Sequence, residues 1–208
     1  MPEDFKNTHP ATGQDAINSV NEAGGIAFVA HPHWCGFTPE EVLSLHNFAG
    51  IEVFNTSCVG IGREYNMEIW DELMDLGCGC PALAVDDMHG DAQLYGGWTV
   101  IAAKSNSVAD IMDALKHGMF YASEGPEIKS MRIHDGVFEA EFSPCSKVLL
   151  LGERMYGFGG TTKPQEPVTS FKRNLADLPK GLLRFQIRDA NGKYAWGNPF
   201  LNPIGWKY

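Results

Sequence analysis

Basic residues are scarce. The 208-residue chain carries 16 Lys and Arg against 26 Asp and Glu, a formal net charge of −10. Such a surface lacks the positive charge that non-specific nucleic-acid binding needs, and an anionic membrane face would repel it. A small anionic substrate stays compatible, because a bound metal ion reverses the local sign. Long apolar runs are also missing. None approaches the roughly 20 residues that cross a bilayer, and the opening "MPEDFKNTHP" has no apolar stretch of the kind a secretory leader carries. The five cysteines, Cys35, Cys58, Cys78, Cys80 and Cys145, are odd in number and irregular in spacing. They make a poor disulfide framework and point to a reducing, cytoplasmic setting. Cys78 and Cys80 form a C-x-C that would share a face on a strand, where two thiolates meet a soft metal. With no second pair to close an S4 site, they read instead as small residues entering a buried strand.

What is present is an alternation. "GQDAINSVNEAGG" reads as a short amphipathic helix with a glycine stop. Residues 26–30, "IAFVA", form a continuous apolar run that suits a parallel strand covered on both faces. "TPEEVLSLHNFAG" opens with Thr38 as cap, Pro39 at the first helical position and glutamates at the positive end of the dipole. "GIEVFN", the helix "REYNMEIWDELMDLG", "PALAVDD", "GGWTVIAA", the helix "SVADIMDALKHG" and "MFYAS" continue the rhythm to about residue 123. Helix and strand at this spacing mean parallel strands, in an open sheet or a barrel. The pattern then changes to short alternating segments with turn signals such as "HDG" and "ANG". The expected fold class is α/β over residues 1–127, followed over 128–208 by a small antiparallel β-sandwich module.

In parallel α/β folds, working residues gather where strands end. "IAFVA" ends in His31-Pro32-His33, "GIEVF" carries Glu52 and runs into Asn55, and "ALAV" ends in Asp86, Asp87 and His89. Imidazole and carboxylate suit divalent zinc, manganese or iron. A D-x-H at a strand end lets a carboxylate and an imidazole converge on one ion, and Pro32 is expected to hold the histidines in an extended turn. Such an ion would explain why polar groups close apolar strands. His33 either faces this pocket or packs near Trp34, and the face of Glu52 is open. Asp86 either orients a ligand histidine or takes a proton. His9 reads as incidental, and His46 and His117 suit helix C-termini.

The segments "GGIAFVAHPHW", "GIEVFN", "PALAVDDMHGD", "GGWTVI", "ALKHGMFYASEGPEI" and "RDANGKYAWGNP" resemble the PHP (polymerase and histidinol phosphatase) superfamily, nearest its CehA/McbA-type metallohydrolases. The resemblance implies a distorted β/α barrel with divalent ions at its carboxyl rim and hydrolysis of phosphoesters. It places His31 on the family's "HP" motif and Asp87 with His89 on its closing D-x-H, as metal ligands, and carries no ligand role to His33 or Glu52. The family's H-x-H on its first strand, and the histidine and bridging carboxylate that follow, have no counterpart here. A partial PHP-type barrel is therefore expected, with one ion, open coordination positions and an exposed sheet edge that a second copy or a missing-half partner covers. The implied function is a metal-dependent hydrolase acting on a small anionic ester. The alternative is a non-catalytic metal-binding or assembly module.

Overall fold

The structure, a computed structural model, describes residues 12–154, 156–163 and 165–206. His9 lies outside the described residues. Helix α1 (Gly13–Glu22) is capped by Thr12, whose hydroxyl accepts from the Asp15 amide, and it buries Ile17. Three strands then run parallel in the order β1 (Phe28–Val29), β2 (Gly50–Asn55), β3 (Ala82–Val85). Gly50 fits where nothing larger does, since a Cβ there would lie 2.2 Å from the Pro81 carbonyl oxygen. Between β1 and β2 come α2 (Pro32–Cys35) and α3 (Pro39–Leu43). Thr38 and Glu41 close a reciprocal capping box on α3. A 3-10 turn (Thr56–Ile61) and α4 (Met67–Asp75) connect β2 to β3, and α4 buries Trp70, Leu73 and Met74.

The parallel arrangement stops at β3. Strand β4 (Trp98–Ile101) is joined through α5 (Val108–Lys116) to β5 (Phe120–Ser123), and these two strands are antiparallel, contrary to the expected parallel rhythm. They open a seven-stranded antiparallel sheet in the order β4-β5-β12-β11-β8-β9, with β13 also on β11. Its members are β8 (Lys147–Gly152), β9 (Gly157–Thr161), β11 (Gly181–Arg188), β12 (Tyr194–Gly197) and β13 (Phe200–Asn202). A third sheet has the order β10 (Val168–Asn174), β7 (Val137–Cys145), β6 (Ile128–His134). The seam between β3 and β4 is bridged by side chains. The Thr99 hydroxyl donates to Ala84 O (3.0 Å) and accepts from Ala84 N (3.3 Å), while Asn198 Oδ1 accepts from Ala82 N (3.0 Å). These bonds satisfy backbone groups that a continuous ladder would otherwise pair. The fold is thus mixed α/β, with no closed barrel among the described residues.

Two cores follow from this layering. One lies between the two antiparallel sheets, where Phe138, Phe142 and Phe185 are buried. The other unites the parallel sheet with β5 and β12 through Ile51, Val53, Phe54, Trp70, Ala122 and Trp196. One local expectation is corrected. His31 and His33 do not share an extended turn: His31 caps α2 and His33 lies within that helical turn. Cys78 and Cys80 lie in the segment that leads into β3.

Candidate functional site

Parallel pairing brings the carboxyl ends of β1, β2 and β3 to one edge, and a cavity of about 220 Å³ lies there. It is lined by His31, Trp34, Ser57, Cys58, Asp87 and His89. The histidine from the β1 end and the Asp/His couple from the β3 end therefore face the same space. His31 and Asp87 both stand in the left-handed backbone region, at φ 27° and 48°. That region costs a non-glycine residue about 1–2 kcal/mol and persists where surrounding bonds impose it.

Those bonds are visible. The His31 amide donates to Glu52 Oε2 (2.8 Å), and its ring meets the Trp34 ring edge-on with centroids 5.0 Å apart. Asn55, fully buried, donates from Nδ2 to Glu52 Oε2 (3.0 Å) and to Asp87 Oδ2 (3.2 Å). One amide thus ties together the carboxylate that fixes His31 and the carboxylate of Asp87. Asn55 Oδ1 accepts from the Cys58 amide (3.2 Å), which seats the turn after β2. Glu52 and Asn55 support the cavity from behind and do not line it. His33 is also outside it: its amide donates to Asn66 Oδ1 (2.7 Å) and its carbonyl accepts from Arg63 Nη1 (3.0 Å).

His89 Nδ1 lies 2.7 Å from the Asp87 carbonyl and 3.2 Å from Ser57 Oγ. A carbonyl only accepts, so Nδ1 carries the proton, and in the neutral ring Nε2 keeps its lone pair. This is the arrangement in which a second-nitrogen hydrogen bond orients a metal-binding imidazole. It also removes a Ser57–His89 nucleophile pair, because a protonated Nδ1 cannot take the hydroxyl proton. Gln93 braces the loop, accepting from the His89 amide (2.5 Å) and donating to Ser57 Oγ (2.8 Å).

Asp86 does not line the cavity. Its carboxylate accepts from the amides of Tyr95 (2.7 Å), Gly96 (2.8 Å) and Gly97 (3.0 Å) and from the Thr56 hydroxyl (3.2 Å). The three amide bonds come from the turn before β4 and the hydroxyl bond from the turn after β2, with no ligand imidazole among these partners. Burial raises the carboxyl, but the donors at Gly97, Tyr95, Gly96 and Thr56 outweigh it and hold the group below the usual carboxylate range.

The surroundings are acidic. Burial pushes the Cys58 thiol up, and Asp87, Glu52, Cys35 and Glu64 add to the rise. Glu64 Oε2 is buried with no hydrogen-bond partner. Cys35 Sγ lies 3.4 Å from His31 Nδ1, but burial and then Glu52 raise its pKa, so it stays a neutral thiol rather than a nucleophile. Among the described residues, no three His, Cys, Asp or Glu side chains close on a common ion position as they stand. Ser57 and Cys58 escaped the sequence reading although they follow β2 directly and fall under the same strand-end rule. Gln93 carried no signal. Comparison of the chain with family models, with curated proteins and with solved structures gives no match.

Proposed function

We propose that this chain is a metal-dependent hydrolase of the phosphoesterase type, built on a partial PHP-type barrel with an appended β sandwich. One observation carries the reading: His31, from the end of β1, and Asp87 and His89, from the end of β3, line one cavity. The donor set suits zinc, manganese or iron in kind. The acid groups around Cys58 and the orphaned Glu64 oxygen call for positive charge nearby. His31, Asp87 and His89 would hold the ion. When bound, it supplies a water that ionises near neutral pH and a charge that offsets the anionic ester.

The chain's own residues prepare that site. Glu52 fixes His31 through its backbone, Asn55 sets Asp87 relative to Glu52, and the Asp87 carbonyl holds the His89 tautomer. Trp34 and Ser57 wall the space a small ester would enter. The setting is cytoplasmic, with neither nucleic acid nor membrane as partner. The two-residue β1 ends the parallel sheet at one edge, and a second copy or a missing-half chain would cover it.

A second reading, a metal-binding or assembly module without turnover, draws on the lack of three closed donors. The purified chain, loaded in turn with zinc, manganese and iron, is assayed with bis(p-nitrophenyl) phosphate. Turnover that falls at least about 100-fold in His89→Ala, the loss expected when metal activation of water is removed, supports the hydrolase. Metal binding without turnover supports the module, and absence of metal binding removes both.

A further inference from the structure

The two antiparallel sheets differ in width. The seven-stranded sheet carries β5 and β4 beyond β12, whereas the three-stranded sheet ends at β6. β6 packs over β12: a Cβ on Gly197 would lie 2.6 Å from Met131 Sδ. On that side, no strand among the described residues crosses β5 and β4, and a groove of about 550 Å³ lies there. Val100, Met119, Tyr121 and Met131 line it, and all but Tyr121 are exposed. Its other wall is β6, which pairs with β7 alone and exposes every residue except Ile128. The main-chain groups of β6 that point away from β7 have no strand partner among the described residues. Such an edge is a template for a further strand.

We propose that this groove takes one extended segment of a partner protein, which adds to β6 as a strand and closes the sandwich over β5. A strand spaced about 4.8 Å from β6 comes to lie across β5. Side chains alternate along it, so every second residue is apolar and meets Val100, Tyr121 and Met131. Glu127 and Lys129 line the same groove two residues apart. Neither has an ion pair among the described residues. The complementary segment therefore carries a basic and an acidic side chain, also two residues apart, to stand opposite them.

The overhang argues against a second copy of this chain. Antiparallel pairing of two β6 strands about a twofold axis puts both wide sheets on the same side. The β4–β5 ledges of the two molecules would then claim one space. Such pairing also sets Lys129, Arg132 and His134 against their own counterparts, with no acid within β6 to answer them. A lone strand meets neither obstacle. The groove shares no residue with the cavity at the strand ends and fills whether or not a metal binds there.

The test uses the full chain and two fluorescein-labelled peptides, Val-Lys-Val-Glu-Val-Thr-Val and its reverse, which cover both directions of an added strand. At least one is expected to bind saturably by fluorescence anisotropy. That peptide is then N-methylated at either alternate set of amides. One form, with the amides facing β6 blocked, is expected to bind at least about tenfold more weakly than the other. Val100→Asp is expected to abolish binding. Should that variant not fold, amide exchange on the wild type decides. Peptide is expected to slow exchange about tenfold within residues 129–133 and to leave the other edge strands, β9 and β10, unchanged. Binding of neither peptide, equal binding of the two methylated forms, binding retained in folded Val100→Asp, or slowing elsewhere overturns the proposal. So does slowing within β6 that rises with protein concentration in the absence of peptide, the mark of a second copy.

Discussion

At the scale of single residues, the adjacent aspartates divide their work by direction. Side chains alternate along a strand, so Asp86 and Asp87 leave β3 toward different surroundings. Asp86 turns to three backbone amides and Asp87 to the cavity. The sequence located both at a strand end but not the turn at 95–97 that claims Asp86, because that turn belongs to the next strand. The division has a consequence for stability. Asp86→Asn keeps the shape but removes the charge that strengthens these bonds, and should cost about 1–2 kcal/mol in urea unfolding. Unchanged stability would show that the turn holds without the carboxylate.

At the scale of elements, short apolar runs announced strands but not their partners. β4 and β5 were legible as strands. Their antiparallel pairing was not, because a strand–helix–strand spacing reads as a parallel crossover, whereas β4 and β5 pair antiparallel and β5 takes β12, about seventy residues further along the chain, on its other side. Helix α4 starts at Met67, later than the "REYN" opening suggested, because the preceding residues pair with β2: the Asn55 amide donates to Glu64 O (3.0 Å) and Phe54 bridges Tyr65. On the outer face of the three-stranded sheet, Arg132, Glu139 and Lys172 stand opposite one another in register. Glu139 meets Arg132 and Lys172 at 2.6 Å each. Hydrogen bonds from Lys172 and then Arg132 lower its pKa. A depressed folded pKa gives stability that is present above the unfolded value and lost as pH falls through the folded one. Wild type should therefore melt above Glu139→Gln at neutral pH, and the gap should close in acid. A gap independent of pH would contradict the pairing.

At the scale of the whole molecule, buried charge joins the layers. Arg184 on β11, 1 % exposed, donates from Nε to Asp71 Oδ1 on α4 (2.7 Å) and stacks 4.8 Å over the Trp70 ring. Glu124, after β5, accepts from the Tyr65 hydroxyl (3.0 Å) and the Tyr194 amide (2.9 Å) and pairs with Lys193 (3.2 Å). Composition gave no hint of either joint, since a charged residue in sequence reads as surface until its partner is placed. Asp71→Ala leaves the guanidinium buried without a counter-charge, held only by its bond to Gln186 Oε1 (2.7 Å) and by Trp70. With Asp71 itself a third exposed, the loss should be about 2–3 kcal/mol, below that of a fully buried pair. A loss near zero in chemical unfolding would mean that Trp70 packing alone holds the layers. What the sequence did make legible at this scale was the edge where three strand ends meet, because parallel βαβ connections send those ends the same way. The central claim is that His31, Asp87 and His89 take one divalent ion at that edge. Zinc titration followed by ¹⁵N shifts of the histidine rings tests it most directly. Saturation at one ion per chain is expected, with the His31 and His89 rings shifting together and both responses lost in Asp87→Asn. Zinc binding that leaves those two rings unmoved would contradict it.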